Sequence, residues 1–323
     1  MNIAFHSQNL GLRGTEIALY DYAKYNEKIL GNTSFIISGK HADLSAKPKF
    51  DQQFPNRVKL IDSWGSAPSV FHKEKIDWVY VCKAGNIDGF DTDEFPTFIH
   101  AVFRHNEPHG DVYAYVSDWL ARDQGYDPNT HALPHICEPL PQINENLRSE
   151  LNIPINAKVF GCYGGSTEFN MHFVHEAIKN VVSERHDIYF VFMNINKFCD
   201  DHEQIIHLPG TYDMIYKSKF VNTCDAMIHA RFGGETFGLA VAEFASSNKP
   251  VITYKLSGEA NHIEILGERG IYYEDYEDLK DILNDINSYI KYDDYYKSYE
   301  HLSPENVMKK FDKFIKGEIQ RIY

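Results

Sequence analysis

The stretch from Ala226 to Ala245 constrains the fold of this chain more than any other. Ala226-Met227-Ile228 is a short apolar run of the kind that fits a strand buried on both faces. Gly233 and Gly234 then turn the chain, and Gly238 lies just inside the next element. Leu239-Ala240-Val241-Ala242-Glu243-Phe244-Ala245 reads as a helix that starts near Thr236. Strand, tight turn and helix is the repeating step of a parallel α/β sheet. Such a helix opens on amides without acceptors and on a partial positive charge, a seat for phosphate or a developing anion.

Two carboxylates flank this turn, Glu235 and, seven intervening residues later, Glu243. A carboxylate accepts from paired hydroxyls, and sugars and ribose carry such pairs. One reading is a carboxylate for each of two polyols with a phosphate between them. The plain alternative makes Glu235 a partner of the helix dipole and Glu243 a solvated side chain.

The same step recurs along the chain. Residues 2–6 read as a strand, 7–16 as a polar loop with two glycines, and 17–25 as a helix, with Thr15 as a simple cap. Further strands are read at 33–38, 58–61, 77–82, 97–103 and 111–116, while 39–57 show little pattern. Ser117 reads as a helix cap. Pro134, Pro139 and Pro141 mark an extended crossing. The expected division is a domain 1–143, a domain 144–303 and a last helix 304–323.

In the second half, strands are read at 158–163, 187–193, 205–208, 225–229, 250–254 and 270–273. Helices are read at 170–184, 212–221 and 259–266, and 276–323 reads as helical. The final helix, 304–321, sets Lys309, Lys310, Lys313 and Lys316 beside Val307, Met308, Phe311 and Phe314. That pattern suits peripheral contact with a membrane surface or packing on the protein itself.

Other residues leave their roles open. Lys83 begins a glycine-rich loop at a strand end, where open α/β sheets collect ligands; a solvated lysine is the alternative. His100, His105 and His109 are separated by four and three intervening residues, which matches no compact zinc pattern, and no metal site is expected. A net charge of −14, from 32 basic and 46 acidic residues, argues against nucleic acid as a partner. Five scattered cysteines without a C-x-x-C pair read as buried thiols in a reducing compartment. The first residues are too polar for a signal peptide, so a cytoplasmic protein is expected.

The string Glu235-Thr236-Phe237-Gly238-Leu239 with Glu243 resembles the nucleotide-sugar site of retaining GT-B glycosyltransferases, particularly the family 4 type. The resemblance implies two Rossmann-like domains facing across a cleft, with the last helix crossing back to the first domain. It implies a catalytic place for Glu235 beside the donor sugar, and a donor-binding place for Glu243 on the nucleotide ribose. Thr236, Phe237, Gly238 and Leu239 would hold sugar and diphosphate. Gly14, in Gly14-Thr15-Glu16, resembles the family's N-domain turn near the diphosphate. Gly165 and Ser166 fall in the corresponding C-domain turn. A second catalytic residue would be a histidine at an N-domain strand end, His100 or His105, with Arg104 facing phosphate.

One departure stands out. The family places an Arg and a Lys shortly after the C-domain turn, and here neither is present before Lys179. Ser166, Thr167 or Asn170 can replace them, or Arg231 can supply the charge, with a surface ion pair as its alternative. The implied partners are a nucleoside-diphosphate sugar donor and a glycan, glycolipid or glycoprotein acceptor, with no cofactor. Two other functions fit the same architecture: a nucleotide-sugar 2-epimerase and a non-catalytic nucleotide-sugar binding protein.

Overall fold

A computed structural model of the chain describes residues 1–89 and 94–319. The chain runs through β1 (Asn2–His6), α1 (Gly14–Lys28), β2 (Thr33–Gly39), α2 (Lys47–Gln53), β3 (Val58–Ile61), α3 (Ala67–Glu74), β4 (Trp78–Lys83), β5 (Thr97–Ala101), β6 (Val112–Tyr115), α4 (Asp118–Asp123) and α5 (Pro128–His131). It continues with β7 (Lys158–Tyr163), α6 (His172–Glu184), β8 (Ile188–Met193), β9 (Ile205–Leu208), α7 (Met214–Thr223), β10 (Ala226–His229), β11 (Gly234–Glu235), α8 (Leu239–Ser246), β12 (Val251–Tyr254), β13 (Glu259–Ala260), α9 (Asn261–Leu266), β14 (Ile271–Tyr273), α10 (Tyr276–Asn284) and α11 (Pro304–Ile315).

Two units emerge. The first is Met1–Ile136 and takes back the chain from Leu302; the second is Cys137–His301. The division falls inside the proline-bearing stretch, where the sequence reading sets it near 143.

The first unit holds a six-stranded parallel sheet in the order β3-β2-β1-β4-β5-β6. Its register sets Ala4 opposite Phe35 on one side and Val79 on the other. Ile3, Ala4, Phe5, Val79, Tyr80 and Val81 are fully buried, which is why these strands are continuous apolar runs. The second unit repeats the plan in the order β14-β12-β10-β7-β8-β9. Counted from its own first strand, this is the same order. In both sheets the chain leaves the first and fourth strands in opposite directions, so the switch points are β1/β4 and β7/β10.

The last helix belongs to the first unit. Phe311 stacks on Phe98 at 5.8 Å between centroids and contacts Phe5, Tyr22 and Tyr80. Val307, Met308, Phe311 and Phe314 are buried, so the apolar face proposed for a membrane is already covered by protein. Lys310 donates to the Pro128 carbonyl at 3.0 Å. Of the helix expected to reach Arg321, residues 320–321 lie outside the described residues, as do 322–323 of the expected last segment. Among the described residues, no helix is long and apolar enough to cross a membrane.

Some boundaries differ from expectation. The segment 39–57 contains α2, which opens on a proline, and α3 does likewise. The start of α1 is capped by Arg13 without a side-chain bond, so Thr15 is not its cap. Ser117 does cap α4, accepting from the Leu120 amide at 3.1 Å.

Candidate functional site

At the switch point of the second sheet, the loop after β7 and the loop after β10 are stitched together. The Asn170 amide donates to the Ala230 carbonyl at 3.0 Å, and the Phe232 amide donates to Asn170 Oδ1 at 2.9 Å. Arg231 spans both loops, with Nε 2.7 Å from Glu168 Oε2 and Nη1 2.9 Å from Glu235 Oε2.

Glycine geometry then places Glu235. Gly234 has φ +82°, and a Cβ there would stand 2.0 Å from the Glu259 carbonyl oxygen. Only a glycine lets β11 lie against β13, pairing Gly234 with Glu259 and Glu235 with Ala260. Gly238, at φ +91°, is the N-cap of α8, and a Cβ there would lie 3.2 Å from the Glu235 Cβ. The helix therefore starts at Leu239, not near Thr236, because the left-handed turn at Gly238 separates it from the extended segment. The first bond of α8 runs from the Ala242 amide to the Gly238 carbonyl at 3.0 Å. The amides of Leu239, Ala240 and Val241 have no acceptor within the helix and open beside Glu235. Thr236 and Phe237 are buried, and Asn261 Nδ2 donates to the Phe237 carbonyl at 2.8 Å.

Glu235 is wired inward as well. His229 Nε2 lies 3.2 Å from Glu235 Oε1, and His229 Nδ1 lies 2.8 Å from Thr253 Oγ1. The same Thr253 oxygen meets His262 Nε2 at 3.1 Å. Burial pushes the Glu235 carboxyl up, but the hydrogen bond from His229 and the charge of Arg231 outweigh it. The net effect holds Glu235 below the usual carboxylate range.

Glu243 is not solvated. It is buried, accepting from Lys217 Nζ at 2.6 Å and from the Tyr163 hydroxyl at 2.5 Å. Lys217 also lies over the Tyr163 ring, 4.6 Å from its centroid. Each carboxylate oxygen keeps a lone pair for a further donor.

In the expected diphosphate turn, Gly165 is half-buried beneath Glu168, and Ser166 is exposed. Lys179 pairs with Glu176 on α6. Arg231 is the cation placed beside this turn, in an ion pair with two carboxylates.

The first unit treats its expected residues differently. Gly14 is the exposed first residue of α1. His100 is fully buried one residue inside the end of β5. Its Nε2 meets the Leu133 carbonyl at 2.8 Å and its Nδ1 meets the Tyr80 hydroxyl at 2.5 Å. Burial pushes its pKa down to about 3. Both ring nitrogens are spent inside the core, so the catalytic place expected for His100 is not supported by its position. Arg104 is held by Asp123 through two contacts of 3.0 Å and lies over Trp119. His105 is half-buried, and its carbonyl accepts from Tyr113 and Tyr115. Lys83 is neither solvated nor free: its side chain is buried, pairs with Asp88 and contacts His109 Nε2 at 3.1 Å. The three histidines thus do not converge on one point.

Sequence reasoning passed over Glu168, Thr253, His262, Tyr163 and Lys217, and gave His229 no role. Each lies on a different element from the carboxylate it serves, so no local spacing announces it.

Known proteins resemble this chain in part of its sequence and in its fold. Residues 197–306 match the family described as Glycosyl transferases group 1. This stretch of the C-terminal unit is similar to the group 1 glycosyltransferases. The match contains both Glu235 and Glu243, and the first unit lies outside it apart from the return at Leu302. No curated protein matches the chain by sequence. Among solved structures, HepE from Anabaena in complex with UDP-glucose is 15% identical, with a TM-score of 0.72 over 98% of this chain and 100% of that one. A glycosyltransferase from Rickettsia africae is 16% identical, with a TM-score of 0.69 over 100% and 99%. A putative UDP-N-acetylglucosamine 2-epimerase from Listeria monocytogenes is 15% identical, with a TM-score of 0.61 over 98% and 96%. At such identities these likenesses speak for the fold, which is GT-B. At the second switch point of this chain, two carboxylates, each paired with a cation, stand beside an open helix end.

Proposed function

We propose that this protein is a retaining glycosyltransferase that moves a sugar from a nucleoside diphosphate to a hydroxyl of a glycan, glycolipid or glycoprotein. The observation that carries the reading is the pairing of Glu235 with Arg231 and of Glu243 with Lys217 around the open amides of α8. Glu243 accepts from the ribose hydroxyls, Glu235 from a sugar hydroxyl, and the amides of Leu239 to Val241 face the diphosphate. As the bond to the leaving phosphate stretches, positive character grows on the sugar and negative charge on the phosphate. Glu235 lies by the first; the helix end and Arg231 lie by the second, and their preorganisation favours the transition state over the ground state. An arriving diphosphate competes with Glu168 for the guanidinium fork of Arg231. The leaving phosphate oxygen takes the acceptor proton, so no protein base and no metal ion is needed in this scheme.

The complex of HepE with UDP-glucose supports a UDP-sugar as the first donor to try. The test offers UDP-, GDP-, ADP- and TDP-sugars and measures nucleoside diphosphate release by the wild type and by Glu235→Ala. Release from one donor, unchanged by a chelator and falling roughly 100- to 1000-fold in the variant, is expected. Interconversion of free UDP-N-acetylglucosamine without an acceptor would instead establish the 2-epimerase reading, which the Listeria likeness keeps in play. Binding without any turnover, with every acceptor class supplied, would make the chain a nucleotide-sugar binding protein.

A further inference from the structure

We propose that His229, Thr253 and His262 form a one-way hydrogen-bond relay that fixes Glu235 as an ionised acceptor toward the donor sugar. The inference rests on the donor-site reading of Glu235 and names three positioning residues for it.

The direction of the relay is set by counting protons. An ionised carboxylate only accepts, so His229 Nε2 donates to Glu235 Oε1 across 3.2 Å. Two arrangements then let the Thr253 hydroxyl donate its proton to one of the two rings. In the first, His229 is neutral, its Nδ1 accepts from the Thr253 hydroxyl, and Thr253 accepts from His262 Nε2–H. In the second, His229 is doubly protonated and donates to Thr253, which donates onward to His262 Nε2. A neutral His262 would then carry its proton on Nδ1.

That atom decides between them. His262 Nδ1 is buried and has no partner. The second arrangement aims an N–H at nothing; the first leaves only a lone pair there. Doubly protonating His262 is also disfavoured, since burial above all pushes its pKa down to about 3. Every donor in the first arrangement finds its acceptor, and the chain of donors points one way, from His262 to Glu235. Arg231 holds the other oxygen of Glu235 at 2.9 Å.

The charged and titratable groups around Glu235 come from several elements. His229 ends β10, Arg231 is two residues beyond it, and His262 stands on α9. Cys162 on β7 and Tyr299, between α10 and α11, also feel its charge. Glu168 and Glu259 act on it through Arg231. None of these donates to Oε1 in place of His229, so removing the Thr253 hydroxyl frees the His229 ring without supplying a substitute.

The test compares the full chain with Thr253→Val, which matches the side chain in shape, and Thr253→Ser, which restores the hydroxyl. Imidazole nitrogen NMR between pH 5 and 8 reports the tautomers directly. Wild type and Thr253→Ser are expected to show His229 and His262 as neutral Nε2–H forms at pH 7. Thr253→Val is expected to show a mixture of tautomers at His229. In nucleoside diphosphate release, Thr253→Val is expected to lose about tenfold in kcat with KM nearly unchanged, as for a contact used in the transition state. Its acid limb is expected to rise by about one pH unit, equivalent to that tenfold change.

A doubly protonated His229 at pH 7, or a Thr253→Val protein with wild-type tautomers and kcat, overturns the relay. A wild type that shows the expected tautomers yet neither binds nor turns over any nucleotide sugar overturns the donor reading instead. That result would leave the proton order intact.

Discussion

The two sheets share one strand order, yet their switch points are furnished in opposite ways. In the first sheet, the fourth strand ends on Lys83, buried against Asp88 and His109. His6, at the end of the first strand, is buried, and its Nδ1 lies 2.9 Å from the Ile37 carbonyl. In the second sheet, the fourth strand ends on His229 and leads to Arg231, Glu235 and the open end of α8. The same topology supplies the same loop positions; the side chains decide whether the polar groups pair within the core or pair beside an open helix end. His100 and His229 show the contrast in one residue type. One spends both nitrogens on a backbone carbonyl and a tyrosine, while the other links a core threonine to a half-exposed carboxylate.

Two buried lysines give the strongest way to break this comparison. Lys217 and Glu243 have side-chain exposures of 12% and 11%, against 7% and 30% for Lys83 and Asp88. Lys217→Met strands Glu243 as an unpaired charge, and a loss of about 3–5 kcal/mol in unfolding free energy is expected. Nucleotide affinity should fall at least ~10-fold, because Glu243 loses the cation that orients it as a ribose acceptor. Lys83→Met leaves Asp88 able to turn to water, so a loss nearer 1–2 kcal/mol is expected, with affinity within about twofold. Denaturant titration and calorimetric binding check both. Equal losses of affinity would show that the first switch point also serves the nucleotide.

The histidine pair sharpens the contrast. His229→Ala removes a donor to Glu235 and is expected to cut turnover roughly 100-fold. His100→Ala leaves the Leu133 carbonyl and the Tyr80 hydroxyl unpartnered in the core, for about 1–3 kcal/mol of stability. Its turnover should stay within about threefold of wild type. Reversal of the two outcomes would return His100 to the active site.

The parallel sheets were legible because their strands are buried on both faces and appear as unbroken apolar runs between glycine turns. The Glu235 to Glu243 string was legible because glycine, carboxylate and helix occur together in sequence. The core position of His100 was not legible for a physical reason: a histidine near a strand end carries the same local signal whether it faces the loop edge or the core. Its register, opposite Cys82 and Ala114, sets it one residue short of the edge. The partners of the carboxylates lay beyond reach because Thr253 is 24 residues from His229 and Tyr163 is 80 from Glu243. The burial of Glu243 was not legible, because a lone glutamate on a short helix says nothing about a lysine arriving from α7. The short helices α2 and α3 each open on a proline and bury few side chains, which left no periodic signal.

The smallest expected effect concerns acid stability, and it separates core histidines from the site. His100 is held neutral in the folded chain, with its pKa pushed down to about 3 by burial, and His6 likewise to about 4. In the unfolded chain both titrate near 6.5. Below pH 6.5 the unfolded state therefore binds more protons than the folded one. Stability is fully present above 6.5 and falls as pH drops toward the folded values. Glu16 on α1 opposes this. Burial pushes its carboxyl from 4.5 up to about 7, so its own contribution is present at low pH and fades as pH rises through 7. Each histidine contributes a slope of up to about 1.4 kcal/mol per pH unit between roughly pH 4 and 6.5. His100→Gln should flatten the measured slope by up to that amount across this window, read by denaturant unfolding at stepped pH. Thr253→Val should leave the slope nearly unchanged while shifting the acid limb of turnover. If the two variants moved the same curve, the core histidines and the site histidines would be one titrating system, and the contrast between the two switch points would fail.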